Sequence, residues 1–334
     1  MSQDKPLVSV IVPAYNAAKT IKECVKSLLN QSYGTYEVIV VDNNSTDDTR
    51  RILESFGEKI KTLKEVKKGS FAARNTGARN SQGEILVFVD ADCIVENDWL
   101  EKLTKPLVSD DEIATYGGSV DAQETRWSRM EHVFEEETIS SLSVGEHTVM
   151  GDTKNMAVLR RVFDELGGFD ESFRFSGDTD FGLRLAEGGY RIRLIQGCRV
   201  LHHFKATFGR IIKNKFRHGF WGVVNYVKHG KYLKSYGEVL REVKAAVIIL
   251  SLSLIILVAD TAFNGGLTDT LYLISALGMI SSFFLLAGGT HSITPIVKKG
   301  LTDRNIYALV HTTAWRLGAL FYLLQHPGIL HRIP

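Results

Sequence analysis

The stretch Gly83-Glu84-Ile85-Leu86-Val87-Phe88-Val89-Asp90-Ala91-Asp92 decides the fold. Its five consecutive apolar residues, rich in β-branched and aromatic types, predict a strand that is buried on both faces. The strand ends at two carboxylates, which are costly to bury without a partner. Hard divalent ions such as Mg²⁺ take carboxylate oxygens and bring substrate phosphates with them. The pattern therefore predicts a cation at this strand end, whereas the alternative is that both acids cap the following turn.

Alternating strands and helices precede this stretch along the chain. The predicted elements are a strand at Leu7–Val12, a helix at Ala17–Leu29, a strand at Tyr36–Val41, a helix ending near Phe56, a βα unit ending near Glu65 and a helix at Ser70–Asn80. This alternation predicts a doubly wound, mostly parallel sheet. Ligands bind at the carboxyl edge of such sheets, where Asp42, Asp90 and Asp92 would gather. An acidic edge of this kind suits a cation, or the hydroxyls of a sugar or ribose.

Composition and charge restrict the class of protein. The chain has 334 residues and a net charge of +2, so we expect more than one domain and no global nucleic-acid signature. Cys24, Cys93 and Cys198 lie far apart without metal spacing, which predicts a reducing compartment and no disulfide or zinc framework. The start of the chain is polar and has no signal-peptide pattern, which predicts a cytoplasmic N-terminal domain.

A set of motifs then occurs in order along the first two thirds of the chain. They are Val8–Asn16, Val40–Asp47, Ala73–Gly77, Asp90–Asp92, Gly167–Glu171 and Gly177–Leu185. Together they resemble glycosyltransferase family 2, the inverting nucleotide-sugar transferases with a GT-A fold, over residues 7 to 203. The resemblance implies a Rossmann-like α/β catalytic domain that uses Mg²⁺ or Mn²⁺.

The resemblance also implies a role for each matching position. The nucleotide-sugar donor would contact Pro13, Ala14 and Tyr15 at the base, Asp42 and Asn44 at the base or ribose, Arg74 at the diphosphate and Asp90 at the ribose or sugar. Asp92 would ligate the metal, and Asp178 lies where the family keeps its catalytic base. Asn155 and Asp180 fall in the regions that would shape the acceptor site.

The sequence departs from the family at two positions. Asn43-Asn44 stands where Asp-Gly is frequent, and Gly177 precedes Asp178 where a glutamate is usual. The Gln-x-x-Arg-Trp motif of processive members does not occur, which favours the transfer of one sugar. His202 and His203 follow a predicted strand at Arg199–Leu201. Adjacent strand residues point to opposite faces, so at most one of them completes the metal site; His202 is preferred, and an ordinary histidine is the alternative.

The composition changes after residue 204. Residues 205–244 hold ten basic residues against two acids, which predicts an amphipathic segment at an anionic membrane surface. Ala245–Ala259 and Thr270–Thr290 are free of charge and predict a transmembrane hairpin, since a span needs roughly 20 apolar residues. Basic residues flank the hairpin but are missing from the hinge at 260–269, which places the catalytic domain in the cytoplasm. Within 291–334, Ile306–Leu324 carries Arg316 and is predicted to lie in the membrane interface, with a third span as the alternative.

These observations predict a multi-pass membrane protein with a catalytic domain at residues 1–204 and a helical membrane domain after it. Its expected activity is the transfer of one sugar from a nucleotide-diphosphate sugar to a membrane-associated acceptor, either a polyprenyl phosphate or a lipid-linked saccharide. A non-catalytic nucleotide-sugar-binding subunit is one alternative. A nucleotidyltransferase is another, although Pro13-Ala14-Tyr15-Asn16 is not the Gly-rich phosphate loop that it would need. No nucleic-acid partner is expected, and the oligomeric state stays open.

Overall fold

The structure is a computed structural model. It describes residues 5–122, 125, 128–129, 133, 143–144, 146–149, 151–203, 207–230, 239–246, 248–249, 251–253, 255, 286, 303–326 and 329. The chain divides into two compact units, Met1–Ala206 (unit 1) and Thr207–Pro334 (unit 2).

The first half of unit 1 follows the predicted alternation of strands and helices. Its elements are β1 (Val8–Ala14), α1 (Ile21–Leu28), β2 (Tyr36–Asp42), α2 (Thr49–Glu54), β3 (Lys61–Lys64), α3 (Ser70–Arg79), β4 (Ile85–Val89), β5 (Cys93–Ile94) and α4 (Trp99–Ser109). All five residues of β4 are buried, as expected for a strand covered on both faces. Helix α3 packs closely on β1, because an added Cβ at Gly77 would collide with the side chain of Ile11.

The second half of unit 1 completes the sheet. Its elements are β6 (Ala114–Asp121), β7 (Ser143–Val144), β8 (His147–Thr148), β9 (Asn155–Leu159), α5 (Arg160–Glu165), α6 (Gly177–Glu187) and β10 (Ile192–His202). The sequence pattern of residues 126–144 predicts a helix; most of this range lies outside the described residues, and at its end Ser143–Val144 is a strand. The strand predicted at Arg199–Leu201 is the last part of the longer β10.

The strands form one sheet in the order β3-β2-β1-β4-β9-β6-β10-β8-β7, with β5 paired to β10. Strands β1 to β4 pair in parallel, and so do β6 and β10. Strand β9 runs antiparallel between β4 and β6, and the pairings of β5, β7 and β8 are antiparallel as well. The sheet is therefore mixed, and the prediction of a mostly parallel sheet was wrong. Strand β9 enters between β4 and β6 against their direction, without the helical crossover that a parallel neighbour needs.

Unit 2 contains three described helical segments. They are α7 (Phe208–His229), α8 (helical residues between 239 and 255, apart from 247, 250 and 254) and α9 (Asp303–Gln325). Their contact region is a small apolar cluster of Val223, Leu240, Val243, Ala319 and Leu323. Helices α7 and α9 cross at two glycines, because an added Cβ at Gly219 or Gly318 would collide with the backbone of the other helix.

Two expectations for unit 2 change in the structure. Within the described ranges, no helix combines the length and the apolar character that a membrane crossing requires. Residues 256–259 and all of 270–290 except 286, which belong to the predicted hairpin, lie outside those ranges. Arg316 belongs to the segment that was predicted to lie in the membrane interface, and its side chain is 3% exposed with Nη1 2.6 Å from Glu242 Oε2. The carboxylate of Glu242 makes burial of the guanidinium possible. Because Glu242 is distant in the sequence, the local pattern around Arg316 does not reveal this pairing.

Candidate active site

The carboxyl ends of β1, β2 and β4 meet at one edge of the sheet. Ala14 pairs with Asp42 in the parallel register of β1 and β2, so the donor-side motifs lie next to each other. Ala14 is buried, Pro13 is partly exposed and the ring of Tyr15 is 60% exposed. An exposed aromatic ring at this edge is available to stack on a flat ligand, whereas Ala14 contributes backbone only.

The loop after β2 is fixed by hydrogen bonds of its polar residues. Asp42 is buried and its Oδ1 accepts a hydrogen bond from the backbone N–H of Ser45 at 3.1 Å. Asn44 has a left-handed backbone (φ 60°) and donates from Nδ2 to the carbonyl oxygen of Val66 at 2.8 Å. The Asn43 amide donates to two carbonyl oxygens and accepts from the N–H of Gly69. A carboxylate cannot donate, so an asparagine is required at position 43, and this accounts for one departure from the family pattern.

Arg74 and Asp90 bring α3 and β4 together at the same edge. The Arg74 side chain is 3% exposed, its Nη2 donates to Asp90 Oδ1, and its buried Nε has no hydrogen-bond partner. Burial raises the pKa of Asp90, the charge of Arg74 opposes that shift, and the charge of Asp92 adds to it. The site thus holds a fixed guanidinium with one unused donor, which suits an anionic ligand such as a diphosphate.

Asp92 and His202 come from distant parts of the chain. Strand β5 pairs with the end of β10 in a register that sets Cys93 opposite His202, and Asp92 Oδ1 lies 3.4 Å from His202 Nε2. Burial alone would lower the pKa of His202, but its hydrogen bond with Asp92 and the charge of that residue raise the pKa. His203 follows directly after the end of β10, and its backbone N–H donates to the carbonyl oxygen of Asp92 at 2.9 Å.

The donor atoms of Asp92, Cys93 and His202 lie within 4.8 Å of one another and form the metal-compatible cluster of the described residues. Burial and the nearby aspartates raise the pKa of Cys93 well above its ordinary value, and a sulfur ligand is a poor match for hard ions such as Mg²⁺. A carboxylate oxygen and an imidazole nitrogen fit Mn²⁺ or Mg²⁺ when a donor supplies phosphate oxygens. The structure therefore brings the two predicted ligands together and adds a buried thiol beside them.

Asp178 lies in the first turn of α6, and its Oδ1 accepts from the N–H of Thr179 at 2.8 Å. Burial raises the pKa of Asp178 to about 7, and the charge of Asp152 contributes to the rise. The helix start packs against α3, because an added Cβ at Gly177 would lie 2.6 Å from Phe71 Cε2. A glutamate at position 177 would force the Phe71 ring to move, and this contact is consistent with glycine at the second departure from the family pattern.

Asp152 and Lys154 are site residues that the sequence analysis missed. Lys154 is 4% exposed, and its Nζ lies 2.5 Å from Asp152 Oδ2. Burial by itself would raise the pKa of Asp152, but the charge of Lys154 and the hydrogen bonds that Lys154 donates lower the pKa of this carboxyl to about 2. The pair acts electrostatically on Asp178 in opposite directions: Asp152 raises the pKa of that carboxyl and Lys154 lowers it. The only sequence signal was a pair of charges just before an apolar strand, which is too common to be specific.

Asn155 and Asp180, the two residues predicted in the acceptor region, are both buried inside unit 1 and hydrogen-bonded to other parts of it. Asn155 is fully buried, with hydrogen bonds to Trp99 Nε1 and to the carbonyl oxygens of Gly118 and Cys198. Asp180 is also fully buried and accepts from Arg184 Nε at 2.8 Å. The remaining Arg184 nitrogens donate to the carbonyl oxygens of Leu166 and Gly168. Both side chains are thus buried and bonded inside unit 1, and their part in shaping the acceptor region stays a prediction.

Comparisons with known proteins agree with this geometry. The sequence profile described as Glycosyl transferase family 2 matches residues 9–167. The chain is similar to Glycosyltransferase AglE of Haloferax volcanii, with 32% identity over 235 residues, which cover 66% of this chain and 74% of AglE. It is also similar to the Escherichia coli enzyme UDP-Glc:alpha-D-GlcNAc-diphosphoundecaprenol beta-1,3-glucosyltransferase WfgD, with 42% identity over 93 residues, 27% of this chain and 37% of WfgD.

A solved structure shares the fold. The mannosyltransferase PcManGT from Pyrobaculum calidifontis, in complex with GDP-Man and Mn²⁺, aligns with a TM-score of 0.64 and 20% sequence identity. The alignment covers 97% of this chain and 88% of PcManGT. At this identity the likeness supports a common fold only.

Proposed function

The chain belongs to glycosyltransferase family 2, and from this we propose that it is an inverting, metal-dependent transferase of one sugar from a nucleotide-diphosphate sugar to a membrane-associated acceptor. The observation that carries the proposal is the pairing of two charge-binding features at one sheet edge. Arg74 offers a buried, unused Nε, and Asp92 and His202 offer a metal-compatible pair of ligands.

The donor would lie along the carboxyl edge of β1, β2 and β4. The exposed ring of Tyr15 is suited to the base, Asp42 and Asn44 lie in the loop beside it, and Arg74 is suited to the diphosphate. Asp92 and His202 would hold Mg²⁺ or Mn²⁺. When bound, the ion would neutralise the charge that develops on the leaving diphosphate, and the Arg74 guanidinium would do the same without a metal.

Asp178 would act as the general base. Displacement at the anomeric carbon requires a group that takes the proton of an acceptor hydroxyl. A carboxyl with a pKa of about 7 is half ionised near neutral pH and is a stronger base than an ordinary aspartate. An acceptor phosphate is already anionic, so a polyprenyl phosphate would depend less on this residue.

The acceptor would be lipid-linked. The printed name of WfgD states a diphosphoundecaprenol-linked acceptor, which supports this class for a related chain. In the present sequence, residues 205–244 are strongly basic and residues 245–259 and 270–290 are apolar. We propose that these segments hold the chain at a membrane with unit 1 on the cytoplasmic side, as the distribution of basic residues favours.

A donor screen tests the proposal. UDP-, GDP- and dTDP-sugars would be tested with Mg²⁺ or Mn²⁺ for thermal stabilisation and for donor hydrolysis. Stabilisation and hydrolysis by one nucleotide class, dependent on the ion, is the expected result. Binding without hydrolysis or transfer to any lipid-linked acceptor would favour a non-catalytic subunit. Release of pyrophosphate from a nucleoside triphosphate and a sugar phosphate would instead favour a nucleotidyltransferase.

A further inference from the structure

Unit 2 exposes large apolar side chains in regular stripes. On α8 they are Ile248, Leu252 and Ile255, and on α9 they are Leu317, Phe321 and Leu324. Their exposed fractions lie between 41% and 62%. Both triplets have the spacing i, i+4, i+7, so each forms one continuous stripe along its helix. The opposite faces of the two helices already pack in the apolar cluster that includes Leu240 and Leu323.

Polar residues are buried in the described interior of unit 2 beside the apolar cluster. Asn225, His229, Ser253 and Arg316 are each at most 5% exposed. Arg316 is paired with Glu242, which removes the cost of an isolated buried charge. Proteins in water rarely bury arginine while they expose rows of leucine, isoleucine and phenylalanine. In a bilayer this distribution is expected, because ionisable side chains face the interior of a helix bundle and apolar side chains face the lipid. The glycine crossing of α7 and α9 is also frequent between helices in membranes.

Helix α7 supplies a complementary charge. Its 22 residues contain five Lys or Arg, two His and no acid. Arg210, Lys213, Arg217 and Lys228 are exposed. Each such residue near an anionic leaflet contributes about 1 kcal/mol of attraction. A second copy of this chain would cover the apolar stripes, but it would bring another positively charged α7, whereas an anionic bilayer matches both features.

We propose that the two stripes, Ile248–Leu252–Ile255 and Leu317–Phe321–Leu324, are a membrane-docking surface of unit 2 that inserts into the hydrocarbon of an anionic phospholipid bilayer. The exposed basic residues of α7 contact the lipid head groups. The described helices reach into the bilayer without crossing it, as interfacial helices do to a depth of about 5–10 Å. The surface rests on the membrane attachment proposed above and names the residues that carry it, and it requires no donor and no metal.

Site-specific quenching tests the surface in the full chain, reconstituted in vesicles of phosphatidylcholine and phosphatidylglycerol. Phe321→Cys and Leu252→Cys would each carry an environment-sensitive fluorophore, and the three native cysteines are buried and leave the labelling specific. Val108→Cys is the matched control, since Val108 is on a helix of unit 1 and is 44% exposed, close to the 47% of Phe321. Leu317→Cys repeats the measurement on the α9 stripe if Phe321→Cys does not fold.

We expect nitroxide-labelled lipid acyl chains to quench the labels at positions 252 and 321, and aqueous iodide to quench only the label at 108. Quenching of all three labels by iodide alone would overturn the proposal. Protection of positions 252 and 321 from both quenchers would also overturn it, because a protein surface, such as a second copy of this chain, would then cover the stripes. The readout requires no donor hydrolysis, so its failure is distinct from failure of the proposed transferase reaction.

Discussion

Asp92 Oδ1 lies 3.4 Å from His202 Nε2, across the antiparallel pairing of β5 with the last residues of β10. The two side chains come from distant parts of the sequence of unit 1, so the proposed metal site exists only when β10 has paired with β5. Neither residue alone provides a divalent-ion site of useful affinity, because a bound ion needs several ligands.

Replacement of Asp92 by asparagine should abolish metal-dependent donor binding and leave the fold intact, since a neutral amide is a weak ligand for hard ions. Calorimetry of donor binding with and without Mn²⁺ measures the effect. Glu58→Gln, an exposed charge removal in unit 1, is the control and should retain wild-type affinity. Unchanged donor affinity of Asp92→Asn in the presence of Mn²⁺ would remove Asp92 from the metal site.

Asp178→Asn should lower turnover with a hydroxyl acceptor by about 10²–10⁴-fold, the usual contribution of general-base catalysis. Donor affinity should hardly change, and the loss should be smaller with a phosphate acceptor. Since the folded-state pKa of Asp178 is raised, its ionisation costs stability as the pH rises through about 7, and the asparagine variant should be at least as stable above that pH. Exposed Asp164→Asn is the control, and near wild-type turnover of Asp178→Asn would contradict the assignment.

The Asp152–Lys154 pair predicts two opposite shifts in the pH dependence of turnover. Asp152→Asn removes a negative charge that raises the pKa of Asp178, so the ascending limb near pH 7 should move to lower pH. Lys154→Met removes a positive charge, so the limb should move to higher pH. Turnover with a hydroxyl acceptor would be measured at saturating donor across the pH range. A shift of both variants in the same direction indicates a structural effect and would refute the electrostatic role.

The parts of the fold that follow from local pattern were predicted from the sequence. The apolar run of β4 and its terminal acids are adjacent in the chain, so the strand and the position of Asp90 and Asp92 required no distant information. Strand β6 escaped prediction because Gly117 and Gly118 interrupt it, and glycine weakens a strand pattern. Glycine is needed at position 117 because of tertiary packing: an added Cβ would collide with Asn155 and with the backbone of Cys198.

The residues of the candidate site also divide into those that local sequence pattern predicts and those whose environment depends on distant parts of the chain. Arg74 and Asp178 belong to short motifs that can be recognised by themselves. Asn155 and Asp180 belong to motifs as well, but their burial depends on partners far away in the sequence, such as Trp99. Local pattern identified these positions without showing which way their side chains face.

Asp180→Asn should destabilise the fold, unlike Asp178→Asn. The substitution leaves Arg184 without its charged partner, and breaking a buried ion pair from one side costs about 3–5 kcal/mol. The change is measured by urea unfolding, followed through a spectroscopic signal of unit 1. Asp164→Asn is the control and should alter the free energy of unfolding by less than about 0.5 kcal/mol. If Asp180→Asn were fully stable but bound the acceptor more weakly, the result would contradict this expectation and support the acceptor role predicted from the sequence.

Charge reversal on α7 should impair transfer to a lipid acceptor more than donor hydrolysis. The variant replaces Lys213, Lys215 and Arg217 by glutamate, which turns attraction to an anionic leaflet into repulsion. The control replaces three exposed lysines of unit 1, Lys22, Lys26 and Lys105, by glutamate. Both activities would be assayed in the same vesicles. An equal loss of transfer and hydrolysis would indicate a folding defect or a donor role for the helix.

The position of β9 between β4 and β6 has a consequence for synthesis on the ribosome. Strands β1 to β4 can pair with one another as soon as they emerge, because apart from β9 beside β4 their neighbours are all encoded before residue 90. Strand β6 emerges next but has no partner until β9 and β10 follow, since it pairs with those two strands. His202 lies at the end of β10, so the proposed metal site is incomplete until unit 1 has been almost completely translated. Ribosome-bound intermediates thus expose an open edge at β4, where chaperones or mispairing would act first.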